Sequence, residues 1–171
     1  PVAIDACGPA AALATPAFYA GQKAIPARGP QAALTVAGTV GGWQKALEVS
    51  TRWGGSLPLS RLLQEAIFQA YSGVVVTTSQ SLLTREKLEG LKGSPGFATT
   101  YLADGAIPEP GAVLKYPALG RTLTQLAERG LDDFYRGELG QRMGAELERV
   151  GSPLRSSDLA AYRAQFVEPL A

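Results

Sequence analysis

The chain has 171 residues, among them 20 glycines, 12 prolines, one cysteine, one methionine and no histidine. Without histidine, a Ser-His-Asp triad, a Cys-His pair and an imidazole zinc site are excluded within it, and a single cysteine makes neither an internal disulfide nor an all-thiolate zinc site. The net charge is +1, with neither sign clustered, so there is no electrostatic footprint for nucleic acid or an anionic membrane.

At 46% hydrophobic and 18% charged residues the chain can bury a core. Its apolar runs, such as Val74-Val75-Val76, are too short to span a bilayer, and no secretory signal is visible. The compartment stays open between cytoplasm and periplasm.

In chain order, Val2-Ala3-Ile4 reads as the end of a strand that turns at Cys7-Gly8-Pro9. The Ala/Gly/Pro-rich stretch to Pro30 is expected as loop with short helical pieces, because Pro16, Pro26 and Pro30 break a long helix. A helix follows from Val40 to Trp53, stopped by Gly54-Gly55. The clearest periodicity comes next: Leu59, Leu62, Leu63, Ala66, Ile67, Ala70 and Tyr71 define one helical face, started by Ser56 and stopped at Gly73.

Val74 to Val76 is a brief strand or an extended connector. A third helix is expected over Ser79 to Leu91, with Leu82, Leu83, Leu88 and Leu91 as its apolar set, and Ser94-Pro95 begins a short helical turn. Pro117 opens a helix through Leu119, Leu123 and Leu126, closed by Gly130. Asp132 to Tyr135 forms a capped single turn, and Leu139, Met143, Leu147 and Val150 share a face of a further helix. Ser156-Ser157-Asp158 caps a short helix, after which Phe166-Val167 begins a strand. The fold class is mainly α with a few short strands, and residues 1–171 read as a single unit without repeats.

No segment carries self-contained chemistry. Gly38-Thr39-Val40-Gly41-Gly42 opens a helix, as a phosphate cradle would, but its spacing is neither G-x-G-x-x-G nor a P-loop. Tight turning and close packing account for these glycines. Cys7 has no basic neighbour before Lys23, which favours an inert thiol over a nucleophile. Asp132 and Asp133, a carboxylate pair on paper, read as a helix cap. Glu146 and Glu148 point different ways on their helix. Arg28, Arg52, Arg61 and Arg121 are scattered and read as solvated surface. A free Pro1 would carry a secondary amine able to act as a general base, as in tautomerases, but the segment behind it lacks the rest of that pattern.

Several segments, in order, resemble the larger subunit of the γ-glutamyltransferase (γ-glutamyl transpeptidase) family. They are Ala3-Ile4-Asp5, Ala10 to Thr15, Gly38-Thr39-Val40-Gly41-Gly42-Trp43, Leu57-Pro58-Leu59, Phe134-Tyr135-Arg136-Gly137 with Leu139 to Val150, and Asp158-Leu159-Ala160-Ala161-Tyr162-Arg163-Ala164. The matches run from Ala3 to Ala164.

The resemblance implies the helical part of an αββα N-terminal nucleophile hydrolase. In such proteins a precursor cleaves itself, and a threonine at the new N-terminus of the smaller subunit attacks a γ-glutamyl amide, its own α-amino group moving the proton. The smaller subunit is therefore the implied partner, and a γ-glutamyl or related acyl amide the implied substrate. This chain corresponds to a central to C-terminal part of the larger subunit and ends at Ala171, before the expected nucleophile. Thr35, Thr77 and Thr78 are internal and cannot take that role. On this reading no residue here is catalytic, no metal or cofactor is implied, substrate-contacting residues stay unassigned, and the isolated chain turns nothing over.

One departure matters. Typical members carry an arginine shortly after the Ile-Asp strand, which holds the substrate α-carboxylate, and Cys7 stands in that place. A related acylase or amidase of different acyl specificity is the alternative that follows, and a catalytically silent helical binding module is the other. If a partner subunit covers the chain, Phe18, Tyr19 and Ile25 should not be well buried.

Overall fold

The computed structural model describes residues 1–169. The expected unit of 1–171 thus includes two residues, Leu170 and Ala171, outside the described ones. Seven helices and four short strands are present among the described residues. They are β1 (Ala3–Asp5), α1 (Thr39–Arg52), α2 (Leu59–Ser72), β2 (Val74–Val75), α3 (Thr78–Leu91), α4 (Phe97–Tyr101), β3 (Val113–Leu114), α5 (Pro117–Arg129), α6 (Glu138–Arg149), α7 (Ser156–Ala161) and β4 (Gln165–Val167). A 3-10 turn at Leu131–Phe134 joins α5 to α6.

The two sheets are small and antiparallel. Strand β1 pairs with β4 in the register Ala3↔Val167, Ile4↔Phe166 and Asp5↔Gln165, which brings residues from opposite ends of the chain together. Alternation puts Ile4 and Phe166 on one face, where Lys45 and Arg52 of α1 both lie over the Phe166 ring, at 4.9 and 4.8 Å from its centroid. Strand β2 pairs with β3, confirming Val74-Val75 as strand.

Leu126, Leu131, Tyr135, Leu139, Leu154, Leu159 and Tyr162 form the core with Ala11, Val36, Val40 and Ala164. Helix α2 packs along α5, so closely that a Cβ on Gly120 would strike the Tyr71 ring at 2.8 Å. Only part of the expected α2 face turns inward. Ala70 is buried and Leu59, Leu63 and Ile67 are half-buried, while Leu62 and Tyr71 on its flanks stay exposed.

Three local readings need correction. On α3 the inward face is Ser81, Thr84, Leu88 and Leu91, and Leu82 and Leu83 are exposed. Polar residues can face inward there because the Thr84 hydroxyl donates to its own helix, at Gln80 O (2.8 Å). Helix α2 starts at Pro58 and not from Ser56, extended backbone at Pro58 setting the entry. Near Ser94-Pro95 the helix begins only at Phe97, because Gly96 at φ 79° turns the chain first.

Two expected caps also differ: Arg155, not Ser156, is the N-cap of α7, and the Leu131–Phe134 turn follows Gly130 with no side-chain cap. Thr77 caps α3, its hydroxyl accepting from the Gln80 N–H at 3.1 Å. Asp158 lies in the first turn of α7 and accepts from the Arg155 N–H at 2.8 Å. In the loop-rich beginning Phe18 and Tyr19 are half-buried and Ile25 is half-exposed, so none is well buried.

Candidate functional site

The loop leaving β1 is fixed by its own backbone and by glycines opposite it. The Asp5 carboxylate accepts from the Cys7 N–H at 2.8 Å, turning the chain sharply. Beyond the turn, Val36 N–H donates to Pro9 O at 3.0 Å and Ala11 N–H to Leu34 O at 2.8 Å, laying the loop beside residues 34–36. Gly8 lies so close to this segment that a Cβ would overlap the carbonyl of Val36. From the other side Gly38 presses on the carbonyl of Ala6, and Gly42 on the Ala6 methyl.

Two tyrosines hold those glycines. The Tyr135 hydroxyl accepts from Gly41 N–H and donates to Ala37 O, both at 2.8 Å. The Tyr162 hydroxyl donates to Gly38 O at 3.3 Å, and the two rings meet tilted at 49°, with centroids 5.0 Å apart. Burial pushes the Tyr135 phenol up to about 12, against the opposing pull of the Gly41 N–H. Burial also raises Tyr162, with smaller contributions from Asp5 and Cys7. The Gly38–Gly42 stretch therefore serves close packing. The Gly41 N–H, one of those freed at the start of α1, is occupied by a phenol and not open to an anion.

The side chain of Cys7 is exposed while its backbone is locked. The hydrogen bond and negative charge of Asp5 hold its thiol above the ordinary value, which keeps it protonated at neutral pH. It opens on a cavity of about 570 Å³ whose wall includes Asp5, Gly8, Asp158, Arg163 and Gln165. A smaller cavity of about 320 Å³, walled by Lys45, Asp132 and Arg136, shares Tyr162 and Arg163 with it. Arg136 donates through Nη1 to Tyr162 O at 3.0 Å, and Arg163 reaches the same carbonyl at 2.7 Å. Burial, and then the nearby Arg163 charge, lower the Arg136 guanidinium.

The other sequence candidates are dispersed. Asp132 pairs with Arg136, its Oδ2 accepting from Nε at 2.8 Å. Asp133 is buried and caps the next element, accepting from Glu138 N–H at 3.1 Å and from Gln125 Nε2 at 2.7 Å. The two aspartates are thus separately engaged. Glu146 pairs with Arg149 and Glu148 with Arg155. Arg28 packs against Gly90, Arg52 covers Phe166, Arg61 donates to Gln64, and Arg121 is exposed. Pro1 is exposed, Thr35 bridges to Ala10, and Thr77 and Thr78 begin α3. Among the described residues no group of three or more Cys, Asp or Glu gathers for a metal, and no helix is long and apolar enough to cross a membrane.

Sequence reasoning gave Tyr135, Tyr162 and Arg163 no role, although all three lie in the two segments most similar to the family. Their pattern signals importance, but the partners of a phenol are set only by the fold.

The gamma-glutamyltranspeptidase family model matches residues 1–171. The oxamate amidohydrolase proenzyme of Klebsiella pneumoniae is 51% identical over 171 residues, covering 99% of this chain and 32% of the relative. A glutathione hydrolase-like proenzyme of Bacillus subtilis is 33% identical, covering 89% of this chain and 28% of the relative. Among solved structures, a gamma-glutamyltranspeptidase from Pseudomonas nitroreducens complexed with L-DON superposes with a TM-score of 0.83 at 32% identity, over 99% of this chain and 49% of that one. A cephalosporin acylase from Bacillus halodurans gives 0.84 at 28% identity, over 99% and 32%. The chain spans about a third of the length of the curated relatives it matches. With its mainly helical architecture it shares the N-terminal nucleophile hydrolase fold of these neighbours, and it belongs to the gamma-glutamyltranspeptidase family.

Proposed function

We propose that this chain is the larger-subunit portion of an amide hydrolase that acts on a small amide such as oxamate in preference to a γ-glutamyl amide. The observation that carries the reading is Cys7, whose exposed, protonated thiol occupies the loop position where an arginine is expected. A neutral thiol cannot form the bidentate ion pair that a γ-glutamyl α-carboxylate needs there. The 51% identity to an oxamate amidohydrolase proenzyme supports the same direction.

In the proposed reaction the nucleophile is a threonine hydroxyl of the smaller subunit, cut from the same precursor. Its α-amino group takes the proton as the hydroxyl attacks the amide carbonyl, then passes it to the departing nitrogen. Water hydrolyses the acyl-enzyme, so oxamate would give oxalate and ammonia. This chain supplies one wall of the acyl pocket, held rigid by Gly8, Gly38 and Gly42, and rigid placement is what a positioned reaction requires.

The test uses the complete gene product. Its mass spectrum should show two fragments, the smaller beginning with threonine. The cleaved enzyme should release ammonia from oxamate with kcat/KM at least about tenfold above its release of chromogen from a γ-glutamyl anilide, equivalent to about 1.4 kcal/mol of discrimination. A single uncleaved mass, or preference for the anilide, rejects the proposal.

A further inference from the structure

We infer that Arg163 is the carboxylate-binding group of the Cys7 cavity, gripping a small acid from the β4 side of the pocket in place of the missing guanidinium at position 7. The inference rests on the amide-hydrolase reading above for its substrate class, and on the cavity for its geometry.

Among the described residues Arg163 is the one cation on the wall of that cavity. No carboxylate among the described residues lies within ion-pair distance of it; Arg28, Arg52, Arg61, Arg121 and Arg142 share that state, but none of them lines this cavity. Its Nη1 donates to Ala160 O and to Tyr162 O, both at 2.7 Å. Those two bonds anchor one arm of the fork to the end of α7 and leave Nη2 and Nε for a ligand. An anchored guanidinium loses less freedom on binding than a free one, and its planar fork matches a carboxylate bidentately.

The rest of the wall suits the other end of an amide-bearing acid. Asp158 is satisfied already, its Oδ1 accepting from Ala12 N–H at 3.0 Å and its Oδ2 from Arg155 N–H at 2.8 Å. Asp5 accepts from Cys7 N–H through Oδ1 at 2.8 Å, and its carboxylate also holds the Cys7 thiol. Its Oδ2 can accept from an amide N–H, and Gln165, its cross-strand partner, adds a second polar group on the same face. A cation and a carboxylate acceptor on the same wall favour a ligand with a carboxylate and a primary amide over an uncharged amide. Position 7 contributes a neutral thiol to the same wall, which adds no competing charge.

The experiment is calorimetric titration of the cleaved, full-length protein with oxalate, which carries the carboxylate and cannot be hydrolysed. Arg163→Gln should weaken oxalate binding at least about tenfold, and Cys7→Ser should change it less than about twofold. Arg163→Lys, which keeps the charge but loses the fork, should fall between wild type and Arg163→Gln. If Arg163→Gln does not fold, the lysine variant decides, and wild-type affinity in it overturns the assignment. Equal oxalate affinity in wild type and Arg163→Gln, or no oxalate binding by wild type, overturns it as well. Arg163-dependent oxalate binding without release of ammonia from oxamate leaves the site standing and sinks the amide-hydrolase reading instead.

Discussion

Tyr135 accepts a hydrogen bond from the backbone N–H of Gly41, 94 positions earlier in the chain, at 2.8 Å. The same hydroxyl donates to Ala37 O at 2.8 Å, so one phenol joins the 3-10 turn region to both sides of the Gly38–Gly42 entry into α1. That entry is what presses on Ala6 and shapes the Cys7 loop.

Replacing Tyr135 with Phe keeps the ring and deletes the oxygen. A buried N–H and a carbonyl are then left without their partner, which costs roughly 1–3 kcal/mol. Urea unfolding of Tyr135→Phe should show a lower midpoint with an unchanged slope, and an unchanged midpoint would show that the bond contributes nothing.

The same phenol gives the chain an alkaline limit. The folded state holds its proton up to about 12, whereas the unfolded chain releases it near a pKa of about 10. Between those values the unfolded state binds fewer protons, so stability is complete below the ordinary tyrosine range and falls as pH rises from there toward 12. Tyr162, also raised, acts in the same direction. Thermal unfolding from pH 8 to 12 should show this decline, and it should be shallower in Tyr135→Phe.

Gly38→Ala should be strongly destabilising, by about 1–3 kcal/mol or more, because its Cβ would run into the backbone carbonyl of Ala6. Gly8→Ala should behave alike, against Val36. Gly93→Ala is the control, since nothing lies near its would-be Cβ, and it should stay within about 0.5 kcal/mol of wild type. Similar melting temperatures for all three variants would contradict the close packing described for the loop.

The Cys7 thiol is exposed yet should be a slow nucleophile. Asp5 raises its pKa, so little thiolate is present at pH 8. Asp5→Asn should remove that charge and speed modification by an aromatic disulfide reagent at pH 8, shifting the pH-rate profile to lower pH. An Asp5→Asn rate no faster than wild type would rule out Asp5 as the cause.

Much of the architecture was legible because local chemistry and burial agree. Gly73 and Gly130 do end their helices, at φ 102° and 88°. Pro117 does open α5, and Phe166 does lie in a strand. The misread elements are those where the environment, and not the periodicity, decides. Leu82 and Leu83 look like a core stripe, but α3 turns Ser81 and Thr84 inward, where the Thr84 hydroxyl is satisfied by its own helix at Gln80 O. Asp132 and Asp133 do not cap their own turn; Asp132 pairs with Arg136, and Asp133 accepts from the N–H of Glu138, five residues on, and from the Gln125 side chain. The candidate pocket was the least legible part. Cys7, Asp158 and Arg163 come from opposite ends of the sequence, and the β1–β4 register together with the Ala12–Asp158 hydrogen bond brings them together.

That register has a kinetic consequence. Ala3 and Val167 must find one another across a separation of about 160 residues, and closing so long a loop is favourable only once the intervening helices have shortened the search. Strand pairing is thus expected late in folding, after α5, α6 and α7 have assembled. Until it occurs Arg163 and Cys7 do not face a common space. The pocket is then expected to be completed late, and a mutation that slows strand closure should delay its maturation while leaving the helical content almost untouched.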